Sequence, residues 1–118
     1  MTEIEELAAR IRRFTEARDW TRFHTPKNLA MALAGETGEL IAELQWLTPE
    51  ESTRTMTDPD AAARLRSEIA DVMIYLTRLA DVLGIDLVQA SHAKLDESEK
   101  RYDVTAYRGS ARKAPPLS

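Results

Sequence analysis

The chain has 118 residues and a net charge of −4, enough length for one domain. A pI near 5.2 argues against binding to nucleic acid polymers, which usually shows as a basic patch. The absence of cysteine excludes disulfides and thiolate metal sites.

No run of about 18 apolar residues marks a membrane span. The start, Met1-Thr2-Glu3-Ile4-Glu5-Glu6, is acidic and lacks the apolar segment of a secretion signal. A cytoplasmic protein with no membrane partner is the expectation. An apolar fraction of 43% and a charged fraction of 31% fit a globular chain. At this size oligomerisation would add stability.

Four helices are expected in chain order. Thr2 and Glu5 have capping-box spacing, and Ile4, Leu7, Ala8, Ile11 and Phe14 recur at helical intervals, so the first helix runs from about Glu3 to Arg18. Asp19 to Thr25 reads as a connector containing Trp20, Phe23 and His24. Thr25 caps a second helix with Pro26 at its first position, and Leu29, Leu33, Leu40, Leu44 and Leu47 form its apolar stripe. Thr48-Pro49 ends it. The polar residues 48–57 read as a loop.

Asp58-Pro59 repeats the cap-and-proline signal. Leu65, Ile69, Val72, Leu76, Leu79 and Leu83 mark the third helix, and Gly84 suits its C-terminal cap. Asp86 caps a fourth helix that continues to about Arg101. Residues 1–103 form the expected all-α domain, a four-helix antiparallel bundle. Residues 104–118 form a tail whose end is expected to be disordered.

Two acidic pairs interrupt these stripes, Glu36 with Glu39 and Glu68 with Asp71. At i, i+3 spacing, each pair sits about 5–6 Å apart on one helix face. At about 100° per residue, Glu36 falls inside the second stripe, Glu39 on its flank and Glu68 at an edge of the third. Most helical carboxylates are solvated, and Glu43 is as readily a solvated neighbour as a site residue. A carboxylate in a buried face must instead be protonated, paired or metal-bound. Hard oxygen donors suit Mg²⁺ or Mn²⁺. Iron is disfavoured, because neither His24 nor His92 sits three residues after a glutamate, as a di-iron bundle requires.

Tyr75 shares the Glu68 edge, either as a boundary aromatic or as a contact beside the ligand. Lys94, Lys100 and Arg101 read as solvated charges, or as cations for a phosphate-rich substrate. Trp20, His24 and Trp46 read as core or interface residues, or as the flat slot a base stacks in.

The segments Arg18-Asp19-Trp20, Phe23-His24, Pro26-Lys27-Asn28-Leu29, Gly35-Glu36-Thr37-Gly38-Glu39-Leu40, Gln45-Trp46, Asp71-Val72-Met73-Ile74-Tyr75-Leu76 and Arg101-Tyr102 carry a resemblance. The chain resembles the all-α nucleoside triphosphate pyrophosphohydrolases of the MazG-like group, within them most the dCTP pyrophosphatases. Their Glu-x-x-Glu, spacer, Glu-x-x-Asp signature is met by Glu36, Glu39, Glu68 and Asp71.

The resemblance implies cleavage of a nucleoside triphosphate between its α and β phosphates by a metal-activated water, with Mg²⁺ on the four carboxylates. It implies a nucleotide pocket shaped by Trp20, His24, Trp46 and Tyr75, phosphate contacts from Lys94 and Arg101, and assembly as a homodimer or homotetramer. The chain departs from the family pattern at Asp103, where proline often follows the Arg-Tyr pair. It departs again at Asp96, Glu97 and Ser98, where asparagine is common.

The expected function is therefore Mg²⁺-dependent clean-up of the nucleotide pool, with dCTP or modified pyrimidine deoxynucleotides preferred. Two alternatives stay open: a noncatalytic helical bundle whose acidic pairs make intersubunit salt bridges, and a dUTPase-like enzyme of the same fold.

Overall fold

The Thr2 hydroxyl accepts from the Glu5 N–H while the Glu5 carboxylate accepts from the Thr2 N–H, so the expected box starts α1 (Glu3–Ala17). α1 turns Ile11 and Thr15 inward and ends at Arg18. Asp19 adopts φ 55°, a left-handed conformation that aspartate tolerates better than most residues, and the chain reverses there. A 3₁₀ turn, Thr21–Phe23, leads into α2 (Pro26–Leu44), whose first turn is capped by Thr25 through the Asn28 N–H. This computed structural model describes residues 1–117.

The segment read as a loop holds two tight turns, α3 (Pro49–Ser52) and a 3₁₀ turn at Thr55–Thr57. Thr48 and Glu51 form a second capping box around Pro49, which is why a single helical turn persists in so polar a stretch. Asp58 then caps α4 (Pro59–Leu83), and Gly84 closes it at φ 69°.

Contacts divide the chain after Gly84. In the first unit α4 is the central element. It packs along α2 and against α1, and Leu29 and Thr15 are the most deeply buried side chains. Three links fix the direction of α2 relative to α4. His24, just before α2, meets Arg78; Glu36 and Glu39 meet Glu68 and Asp71; and Glu43 meets Arg64. Residue numbers rise on one element as they fall on the other, so α2 and α4 are antiparallel.

The second unit holds α5 (Leu87–Arg101), capped by Asp86, and a short α6 (Val104–Tyr107). Beyond α6 the chain turns back on itself. The Ala114 N–H donates to the Tyr102 hydroxyl, Tyr102 and Tyr107 pack edge to face, and the Arg112 guanidinium lies over the Tyr107 ring. The described residues contain no strand, in keeping with the expected all-α class. No helix among them is long and apolar enough to cross a membrane.

Candidate metal centre

α2 supplies Glu36 and Glu39, and α4 supplies Glu68 and Asp71. One oxygen from each carboxylate lies within 4.8 Å of the others. The i, i+3 spacing stacks each pair on one face, and the antiparallel packing of α2 and α4 turns the two faces toward each other. Glu39 is exposed; the other three are partly buried.

The environment is hostile to so many negative charges. Oε2 of Glu36 and Oε2 of Glu68 are both shut away from solvent with no hydrogen-bond donor. Among the described residues none of the four makes an ion pair. Burial pushes the Glu36 carboxyl above its usual value, and the neighbouring Glu39 carboxylate adds to it, followed by the charges of Asp71 and Glu68. Burial likewise raises Glu68, with Glu39, Asp71 and Glu43 contributing. Four oxygen donors, two of them orphaned, fit a hard divalent cation. Such a cation would satisfy the orphaned atoms and relieve the repulsion together.

Glu43 lies two turns beyond Glu36 and pairs with Arg64 at 3.1 Å, which offsets part of its charge. Tyr75 is half-buried on α4, seven residues after Glu68 and so nearly in line with it.

His24 closes the 3₁₀ turn, and its Nδ1 accepts a hydrogen bond from Arg78 Nε at 3.2 Å. Burial and the Arg78 charge hold the imidazole below its ordinary value. Trp20 packs edge-on against Phe14, with centroids 5.7 Å apart, and remains 43% exposed; Trp46, just past α2, is 87% exposed. In the second unit Lys94 pairs with Glu97 at 3.4 Å, and Arg101 donates to the carbonyls of Ala114 at 2.7 Å and Pro115 at 3.2 Å.

One group escaped the sequence reading. Arg78 is 5% exposed, and its guanidinium reaches both His24 and Asp81. Asp81 in turn accepts two hydrogen bonds from Arg12 of α1, at 2.6 and 3.0 Å. The signal was available: Arg78 stands between Leu76 and Leu79, two turns along from Asp71 at nearly the same helical angle.

The MazG-like family profile matches residues 32–115, and the chain belongs to that family. It is 41% identical to dCTP pyrophosphatase 1 of Bos taurus over 97% of this chain and 68% of that protein. With the Homo sapiens protein of the same name the identity is 39%, over 97% and 67%. The fold is similar to the crystal structure of a pyrophosphatase from Archaeoglobus fulgidus, with a TM-score of 0.80 and 35% identity over 87% of this chain and 94% of that one. Similarity of this depth over nearly the whole chain makes the protein a nucleotide pyrophosphohydrolase.

Proposed function

We propose that the protein hydrolyses a deoxynucleoside triphosphate to the monophosphate and pyrophosphate with Mg²⁺, for which Mn²⁺ can substitute. dCTP or modified pyrimidine deoxynucleotides are the preferred substrates, and nucleotide-pool clean-up is the role. The observation that carries this reading is the four-carboxylate cluster with two orphaned oxygens. The names of the similar proteins support the choice of dCTP.

Alone, four carboxylates would repel a triphosphate. A bound divalent cation reverses the local charge, offsets charge on the phosphates and lowers the pKa of water it holds. The chain's own part is to fix the donors: Glu36, Glu39, Glu68 and Asp71 are held on two packed helices rather than on loops, which limits their movement. Trp20, His24, Trp46 and Tyr75 would shape the base pocket, stacking contributing about 1–3 kcal/mol per base.

On the resemblance alone, Lys94 and Arg101 would contact phosphate. Each would then exchange a present partner, Glu97 for Lys94 and the tail carbonyls for Arg101. The protein would work as a homodimer or homotetramer, because large apolar side chains of the first unit stand exposed, Met31, Ile41 and Ile69 among them.

The test is product analysis across canonical and modified deoxynucleoside triphosphates with Mg²⁺, using Glu36→Gln and Asp71→Asn as controls. Pyrophosphate and monophosphate are expected, with pyrimidines preferred and each variant slowed by at least about 10²-fold, since the cation's charge stabilisation amounts to several kcal/mol. Orthophosphate as the main product would overturn α–β cleavage. Full activity in both variants would remove the metal site.

A further inference from the structure

We propose that Arg78 is a positioning residue for the nucleotide site: by donating its Nε–H to His24 Nδ1 it fixes the imidazole as the Nε2–H tautomer, so that the ring offers a hydrogen-bond donor to the base. The inference rests on the nucleotide-binding reading and extends it to a residue seven positions beyond Asp71.

Arginine can only donate, so the nitrogen it meets must accept and carry no proton. The 3.2 Å contact therefore assigns the His24 proton to Nε2. His24 is only half-buried, and Nε2 has no hydrogen-bond partner among the described residues. Its one free polar group is thus a donor open to a ligand. Arg78 itself is held from behind. Its Nη1 donates to Asp81 at 3.3 Å, and Asp81 is gripped by the Arg12 fork. A buried guanidinium tied at one end to a carboxylate has little freedom to release the imidazole at the other.

Position fits the role. Asp71 and Arg78 lie on one line of α4, and seven residues of helix rise about 10 Å. The Arg78–His24 contact therefore lies along the helix from the carboxylates on the scale of a nucleotide's reach from α-phosphate to base. A fixed donor there favours an acceptor on the base edge, such as a pyrimidine carbonyl oxygen. The arrangement also resists acid. The charged group in contact with His24 is Arg78, which is tied to Asp81 of α4 and, through Asp81, to Arg12 of α1. Arg78 is a cation, which opposes a second positive charge on the ring.

The test combines ¹⁵N-histidine NMR with kinetics on wild-type protein, Arg78→Met and Arg78→Lys. The chain has two histidines, and loss of one signal in His92→Gln assigns the other. In wild-type protein His24 should be the Nε2–H tautomer and titrate below 6.5. In Arg78→Met its titration should rise and both tautomers should appear. KM for the preferred triphosphate should rise about tenfold, the cost of one lost hydrogen bond, with a much smaller change in kcat. Arg78→Lys, which keeps a charge and one donor, should fall between the two.

A second pair of variants covers a failure of Arg78→Met to fold. Asparagine at 24 places its amide nitrogen near the Nδ1 position and glutamine near Nε2. His24→Asn should therefore give a KM about tenfold above that of His24→Gln. An unchanged His24 tautomer and titration in Arg78→Met, or the reverse order of the two KM values, overturns the inference. If no nucleotide is hydrolysed at all, the functional reading fails, and the NMR measurement still decides whether Arg78 sets the state of His24.

Discussion

Glu36 and Glu68 each hold an oxygen that neither water nor a donor reaches, in a cluster that raises the proton affinity of both. Their folded-state values lie above the ordinary 4.5, so the folded state binds their protons more readily than the unfolded state does. Stability from these protons is fully present below pH 4.5 and lost as pH rises through the higher folded values. Glu36→Gln and Glu68→Gln should therefore melt higher than wild-type protein at neutral pH when all are free of divalent cation, keep their helical circular dichroism, and lose activity when Mg²⁺ is supplied. A lower melting temperature for Glu68→Gln would show a structural ion pair instead.

Asp81 behaves oppositely. The Arg12 hydrogen bond, then the charges of Arg12 and Arg78, hold it below its usual 3.8 against the opposing effect of burial. Its contribution is present above that value and lost as pH falls through the depressed one. Asp81→Asn leaves the buried Arg78 charge unbalanced and should cost on the order of 3 kcal/mol in urea unfolding, with the half-exposed Arg12→Met costing less. The sequence revealed the carboxylates because their phase on α2 and α4 contradicts the apolar stripes. It hid the Arg78–His24 contact because the partners are 54 residues apart and only the register of α2 on α4 joins them.

At the scale of elements, punctuation outperformed periodicity. Thr25-Pro26 and Asp58-Pro59 placed the starts of α2 and α4, and Gly84 the end of α4, because side-chain caps and a left-handed glycine act locally. Apolar spacing cannot register a helix of one turn, so the sequence suggests a loop at α3 although Thr48 and Glu51 carry the same box as Thr2 and Glu5. Gly84 has open space around it but holds φ 69°, so Gly84→Ala should cost about 1 kcal/mol through backbone strain alone. An unfolding midpoint equal to that of wild-type protein would show that the α4 terminus relaxes freely.

Over the whole molecule, the all-α class was legible because caps and 3.6-residue spacing recur along most of the chain. Which helices share one core was not legible, since that depends on contacts between stripes. Those contacts group α1, α2 and α4 in a unit ending at Gly84. Large apolar side chains of this unit also stand uncovered: Met31 is 64% exposed and Ile41 and Ile69 are each 52% exposed. Light scattering in solution should therefore give a multiple of the 13.3 kDa chain mass, a dimer or tetramer. A mass of 13.3 kDa would leave those side chains facing water and contradict the assembly.

Two helices hold four carboxylates that make no ion pair among the described residues, an arrangement that would let a divalent metal and a nucleotide join them. It is tested most directly by the thermal midpoint with and without millimolar Mg²⁺ and dCTP, in wild-type protein and in Glu36→Gln/Asp71→Asn. A ligand that binds only the folded state must raise the midpoint. A rise that needs Mg²⁺ is expected in wild-type protein and not in the double variant. No rise in wild-type protein, or an equal rise in both, would contradict it.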